Sequence, residues 1–189
     1  DESAAVLGNL YGVKADYYAR VNFAGLKKIV DALDGVDVNS EHEFTTVGME
    51  VPDENGDGVH MAGYTFTQGI NHLNGEQALC FARERHAFGD GDNQRGRNQM
   101  AVIRAIVDKA SSPAILKVLD AVSSSFITSL TYEDISSLVQ MQLRDNVHWN
   151  ITSYSVSGEG GMEPCYSAGN ETLWVMWPNA TQINTAKSL

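Results

Sequence analysis

"DYYARVNFAGLKKIVDALDGVDVN", residues 16–39, decides the fold class. Its first part, residues 16–23, alternates as a strand does, throwing successive side chains to opposite faces. The period then changes. Leu26, Ile29, Val30 and Leu33 recur at helical spacing, and Gly35 is the residue type that stops a helix in a left-handed turn. "VDVN" (36–39) follows as a short strand. Upstream, Ala4, Leu7, Leu10 and Tyr11 repeat at helical spacing within residues 3–12. Helix, strand, helix, strand in this order predicts an α/β fold: layered α/β/α, with a central mixed sheet flanked by helices.

Downstream, residues 40–72 are polar and glycine-rich. They predict a β-hairpin or an extended excursion that returns to the core near Leu73. "EQALCFARER" (76–85) reads as a helical turn running into a strand over 79–85. "NQMAVIRAIVDKA" (98–110) places Ile103, Ile106, Val107 and Ala110 on one helical face, and "SSP" (111–113) ends it. "PAILKVLDAVSSSF" (113–126) predicts another helix. "TYEDISSLVQMQLRD" (131–145) predicts a third, with Thr131 as N-cap and Asp134 three residues on, in the manner of a capping box. "NVHWNITSYSV" and "TLWVMWPN" read as late strands separated by a glycine-rich turn, and "ATQINTAKSL" as a closing short helix.

The chain has 189 residues, 43% of them hydrophobic, which is enough for the core of a single domain spanning 1–189. A formal net charge of −11 argues against nucleic acid and against broad adhesion to anionic lipid headgroups. No apolar run is long enough to span a membrane. The opening "DESAAVLGNLYG" reads as the inside of a helical segment, so the domain is expected to be amino-terminally incomplete. Cys80 and Cys165 fit no metal spacing; Cys80 reads as a small core residue, and a disulfide between the two stays open. "DENGDG" (53–58) imitates the start of a calcium loop, but its twelfth position is Tyr64 rather than Glu, so it reads as a turn.

Against the acidic background, "FARERHAFGDGDNQRGRNQMAVIRAIV" (81–107) is crowded with arginine. Five of the chain's seven Arg lie between residues 83 and 104, against three acids, so pairing alone leaves two positive charges over. A solvated, salt-bridged face remains one reading. The other is an anion site. On a strand over 79–85, Arg83 and Arg85 would project in parallel from its end, with Leu79 and Phe81 on the same face. Asp92 or Asn93 would cap the next helix, on which Arg95 and Gln99 stand one above the other and continue the line to Ile103 and Ile106. A strand end, a loop and a helix N-terminus together suit an anion. The guanidinium fork matches phosphate oxygens in pairs and keeps its charge when partly buried, and converging forks need a multiply charged partner such as pyrophosphate. His86, beside the pair, is either a loop residue or a hydrogen-bonding group for a phosphate or an incoming hydroxyl.

At these residues the sequence closely resembles the carboxy-terminal motif of the LytR-CpsA-Psr family of cell-envelope enzymes. The family pattern is an Arg-x-Arg pair, a loop with Asp, then Arg with Gln four residues later; here these are Arg83, Arg85, Asp92, Arg95 and Gln99. Residues 16–38 resemble the family's preceding strand–helix unit, with Asp34-Gly35-Val36 in place of Gly-Gly-Val. The resemblance implies a transferase on the outer face of a Gram-positive cell membrane, tethered by an amino-terminal helix missing here. It would move an anionic glycopolymer (teichoic acid or capsular polysaccharide) from a polyprenyl-pyrophosphate carrier to peptidoglycan. Arg83 and Arg85 would be catalytic, and with Arg95 and Gln99 they would bind the pyrophosphate; the lipid would lie in an apolar tunnel. The family's Mg2+ is held by aspartates in and before a Ser-x-x-Arg-Asp motif, which would precede Asp1, so no metal ligand is assigned within this chain. The family often places a second Arg before the Gln; here that position is Asn98, with Arg97 one residue earlier. A non-catalytic module binding polyprenyl pyrophosphate or glycan, and an envelope-linked transcriptional attenuator, are the alternative functions.

Overall fold

A computed structural model describes residues 2–53, 57–110, 118, 126–145 and 147–189. The chain divides into two compact units, residues 19–151 and residues 1–18 with 152–189. It is α/β in class, with helices and antiparallel strands.

The first unit begins with β1 (Ala19–Val21), which pairs antiparallel with β8 (Phe126–Thr128). Helix α2 (Phe23–Ala32) starts at Asn22, whose side chain accepts from the Gly25 amide. It ends where Asp34 and Gly35 both take positive φ, and the Gly35 amide donates back to Val30. Glycine is required there: a Cβ would lie 2.9 Å from the Leu73 carbonyl oxygen, at a φ that side chains rarely tolerate. The chain turns directly into β2 (Val36–Ser40), where Val36, Val38 and Ser40 point inward and the alternate residues outward.

The expected hairpin excursion is present, and it is long. Strand β2 pairs with β7 (Gly69–Leu73), β3 (Phe44–Thr45) with β6 (Thr65–Phe66), and β4 (Met49–Pro52) with β5 (Val59–Ala62), all antiparallel. These are three nested segments of one ribbon, and it returns to the core at Leu73, opposite Val36. The calcium-like stretch lies at its tip, and residues 54–56 of it fall outside the described residues.

The segment expected to be a strand over 79–85 is instead helix α3 (Gly75–Arg83). Two physical causes decide this. Asn74 and Gln77 form a reciprocal capping box at its start. Beyond it, the five consecutive residues Ala78, Leu79, Cys80, Phe81 and Ala82 are all buried, an apolar run that reads in the sequence as readily as a strand. Phe81 packs at 5.3 Å from Phe44 and 5.1 Å from Phe66, which joins α3 to the ribbon. Gly75 lets α3 approach α2 closely: a Cβ would come within 2.4 Å of the Lys27 carbonyl oxygen, and the Gly75 amide donates to Asp31 instead.

Helix α4 (Asp92–Ala110) packs on β2 and α3. Its buried line is Gln94, Asn98, Val102 and Ala105, one position away from the expected stripe, and Ile103 is exposed. The helix is described as far as Ala110; the expected breaker at 111–113 and nearly all of the expected helix at 113–126 lie outside the described residues. Helix α5 (Tyr132–Asp145) begins with the expected capping box: the Asp134 amide donates to Thr131 Oγ1 at 3.1 Å, and the Thr131 amide to Asp134 at 2.9 Å.

In the second unit, α1 (Glu2–Tyr11) packs against α6 (Ala180–Lys187), the expected closing helix. The late strands are β9 (Gly158–Cys165) and β10 (Glu171–Pro178), paired along their whole length. The segment 147–157 is irregular, and the stretch expected as a glycine-rich turn is β9 itself. Its glycines serve packing: a Cβ at Gly160 would lie 2.3 Å from the Trp174 ring, and one at Gly161 2.6 Å from the Trp177 ring. Cys80 and Cys165 are both free thiols, and burial pushes the Cys80 thiol up to about 11.

The ribbon tip is latched to α3 by charge. His60 lies between Asp53 at 2.8 Å and Glu76 at 2.9 Å; Tyr64 donates to Glu76 at 2.6 Å, and Lys27 adds an ion pair at 3.5 Å. The hydrogen bonds to Asp53 and then Glu76 raise the His60 pKa; those from Tyr64 and His60 hold Glu76 below its ordinary value against the opposing cost of burial. The bond to Glu76 also pushes the Tyr64 hydroxyl up to about 12. A raised His pKa contributes stability that is full below the unfolded value of about 6.5 and is lost as pH rises through the folded value. The depressed Glu76 contributes stability above its unfolded value and loses it in acid. His60→Gln should therefore cost most near pH 5.5 to 6 and progressively less at higher pH, as read by urea unfolding at each pH; a cost independent of pH would show that His60 is uncharged in the latch.

Candidate functional site: an arginine-lined cleft

A cleft of about 600 Å³ opens between the ribbon, α3 and α4. It is lined by Phe23, by Val47, Gly48 and Met49 of the ribbon, by Arg83, Glu84, Arg85 and His86 at the end of α3, and by Arg95 and Gln99 of α4. The four residues singled out in the sequence, Arg83, Arg85, Arg95 and Gln99, thus share one cleft.

They arrive there by a route other than the expected strand. Arg83 is the last residue of α3, and Glu84 follows in extended conformation, φ −63° and ψ 132°. That single extended residue restores a period of two. Glu84 turns wholly inward, while Arg83 and Arg85 are left on the cleft side. The next segment, 84–87, is a turn. Glu84 Oε1 accepts the amides of Arg85 at 2.8 Å, His86 at 2.6 Å and Ala87 at 3.0 Å, and Oε2 accepts that of Val47 at 2.9 Å.

Each guanidinium is held differently. Arg83 Nη1 donates to the Glu50 carbonyl at 2.6 Å, and its central carbon lies 4.4 Å from the centre of the Phe23 ring. Arg85 Nε donates to His86 Nε2 at 3.3 Å, so that nitrogen is the acceptor. Arg95 Nη2 is 3.3 Å from Asp92 Oδ1, with Arg85 Nη1 3.9 Å from the same oxygen. One carboxylate therefore stands between two guanidiniums and lowers their mutual repulsion without cancelling the positive charge of the cleft. Gln99 lies one turn beyond Arg95 on α4.

Arg97 does not line the cleft. It donates to Asp90 at 2.7 Å, to Glu41 at 3.0 Å and to the buried Gln94. The Arg97 hydrogen bond holds the Asp90 carboxyl below its ordinary value. The salt-bridged reading of the arginine run is thus right for Arg97 and incomplete for the others. Sequence reasoning missed Phe23, the 47–49 wall and Glu84. An exposed aromatic at the start of α2 and a Glu between two Arg carry no signal of their own before the chain is folded.

Asp92 is engaged by the two arginines, and among the described residues no group of three or more His, Cys, Asp or Glu is placed to hold a metal ion.

The LytR_cpsA_psr family profile matches residues 2–187, nearly the whole chain. The chain belongs to the LytR-CpsA-Psr family. A relative from Bacillus mycoides, named polyisoprenyl-teichoic acid–peptidoglycan teichoic acid transferase TagU, is 35% identical over 164 residues, covering 85% of this chain and 48% of its own. The chain spans about half the length of the curated relatives it matches. Among solved structures, the Listeria innocua Lin1025 protein aligns with 28% identity and a TM-score of 0.70, over 98% of this chain and 71% of its own. The structure of B. subtilis TagV aligns at 22% identity with a TM-score of 0.70, over 100% of this chain and 67% of its own, a likeness of fold.

The stacking of Arg83 on Phe23 generates a test. A cation over an exposed aromatic face is worth about 0.5–1 kcal/mol. A double-mutant cycle of Phe23→Leu and Arg83→Met, followed by urea unfolding, should return a coupling of that size; strictly additive effects would mean that the contact holds nothing in place.

Proposed function

We propose that this chain is the arginine-bearing part of an envelope transferase. The enzyme would move an anionic glycopolymer, teichoic acid or capsular polysaccharide, from a polyprenyl-pyrophosphate carrier to peptidoglycan. The observation that carries this reading is the convergence of Arg83, Arg85, Arg95 and Gln99 in one cleft. The name of the Bacillus mycoides relative supports the same reaction class.

In the reaction, an acceptor hydroxyl oxygen bonds to the phosphorus that carries the glycopolymer. The bridging bond to the lipid phosphate breaks, polyprenyl phosphate leaves, and the hydroxyl proton is released. Both ground state and transition state carry dense negative charge on the phosphoryl oxygens. Arg83, which is fixed by Phe23 and Glu50, and Arg85, beside His86, would stabilise that charge; their fixed positions support this reading. Arg95 and Gln99 extend the clamp along α4. A family Mg2+ would neutralise further charge; its carboxylate ligands are assigned to residues outside this chain.

The carrier's hydrocarbon needs an apolar seat. A groove of about 340 Å³ in the same unit, lined by Val107, Leu138, Val139, Met141, Trp149 and Ile151, is apolar enough to take part of it. The reaction belongs to the outer face of the cell membrane of a Gram-positive bacterium. Among the described residues no helix is long and apolar enough to cross a membrane, and the anchor is assigned to an amino-terminal helix outside this chain.

Removing Arg83 or Arg85 should weaken binding of a soluble short-chain polyprenyl pyrophosphate by about 1.5–3 kcal/mol each, the scale of a hydrogen bond to a charged group. Arg144 is exposed and bonded to its neighbour Asp145 at 2.6 Å, so Arg144→Ala should leave affinity unchanged. Calorimetric titration of the three Ala variants decides the matter, and equal affinities throughout would remove the clamp.

A further inference from the structure

We infer that Glu84 is a positioning residue whose carboxylate staples two lining segments of the arginine cleft together. This role rests on the pyrophosphate reading of the cleft. Glu84 is fully buried between two arginines that line the cleft, yet its carboxylate bonds to neither guanidinium. It takes four backbone amides instead, three from the turn Arg85–Ala87 and one from Val47, a lining residue of the ribbon. Successive backbone amides in a turn form a concavity that binds anions. Here that concavity is filled by the protein's own carboxylate.

Two consequences follow for the site. The turn amides are spoken for, so an incoming pyrophosphate meets the side chains of Arg83, Arg85, Arg95 and Gln99 rather than backbone donors. Second, the fourth bond spans 37 residues of chain and, beside the Arg83–Glu50 bond, ties the 47–49 segment to the Arg83–His86 segment. A clamp works only while its jaws keep their separation, because guanidinium–phosphate bonds weaken steeply away from good geometry. The carboxylate is also the right group chemically. It accepts all four bonds and donates none, whereas an amide side chain would turn an N–H against one of the four donors.

The test compares the full chain with Glu84→Gln, Glu84→Asp, Arg83→Ala and Arg85→Ala. Hydrogen exchange is read at individual amides, and calorimetry measures inorganic pyrophosphate binding. In Glu84→Gln the amide oxygen can keep the turn, leaving nitrogen against the Val47 donor. Val47 should then exchange about tenfold faster and pyrophosphate should bind about tenfold more weakly, the scale of one charged hydrogen bond, with Val102 in the core of α4 unchanged. Should that variant fail to fold, Glu84→Asp keeps the charge and can still close the turn, but it is one methylene too short for Val47. Protected amides at Arg85–Ala87, a fast Val47 and weakened binding are expected of it. Wild-type affinity in the folded Gln variant or in the Asp variant, or an unchanged Val47, would overturn the positioning role. If the arginine variants bind as poorly as Glu84→Gln, the role stands within the clamp. If wild type binds no pyrophosphate at all, the clamp itself is wrong and this role falls with it.

Discussion

The packing of Phe81 against Phe44 and Phe66 is the constraint on which the unit spanning 19–151 depends. Three rings meet at centroid distances of 5.1 to 5.3 Å, and each comes from a different segment: β3, β6 and α3. Such pairs contribute beyond their buried area because edge and face charges oppose. They fix where α3 lies along the ribbon, and hence where α3 ends. The end of α3 is Arg83. A shift of the helix by one residue would carry Arg83, Glu84 and Arg85 out of register with the wall formed by Val47–Met49.

The buried polar groups refine what the rings set coarsely. Asn98 donates to the Phe81 carbonyl at 3.3 Å, and Gln94 donates to Asn98 at 3.0 Å, so α4 is tied to α3 through side-chain amides in the core. Among the described residues no buried side-chain polar atom lacks a partner. A buried amide without partners is costly, and paired amides therefore specify one arrangement of the two helices rather than many. Arg95 and Gln99 follow these two core residues on α4, one position further along in each case. The rotation that buries Gln94 and Asn98 is the rotation that turns Arg95 and Gln99 to the cleft.

The acidic protein thus keeps a local positive field by dividing its arginines. Arg97 is neutralised by Asp90 and Glu41, away from the cleft. Arg85 and Arg95 share Asp92, and Arg83 is held by neutral partners, a carbonyl and an aromatic face. The cleft retains net positive charge, ready for a ligand carrying several negative ones.

Much of this was legible in the residues. Period and punctuation were enough for α2, its glycine stop, β2, the Thr131 capping box and the closing helix, because each depends on neighbours within a few positions. Arg83, Arg85, Arg95 and Gln99 were expected together and do line one cleft, but the strand spacing that suggested it is absent: Arg83 ends a helix. The character of residues 75–83 was not legible: the short apolar run 78–82 reads as readily as a strand, and its burial follows from tertiary packing of the helix on the ribbon, α2 and α4. Nor was the burial of Gln94, Asn98 and Glu84. A polar side chain is placed in a core only when distant backbone comes within hydrogen-bonding reach, and Val47 and Phe81 are brought there by the packing of the ribbon and α3. The sequence by itself determined which groups could grip an anion; the tertiary structure decided how far apart they are held, because that distance is set by contacts between segments remote in the chain.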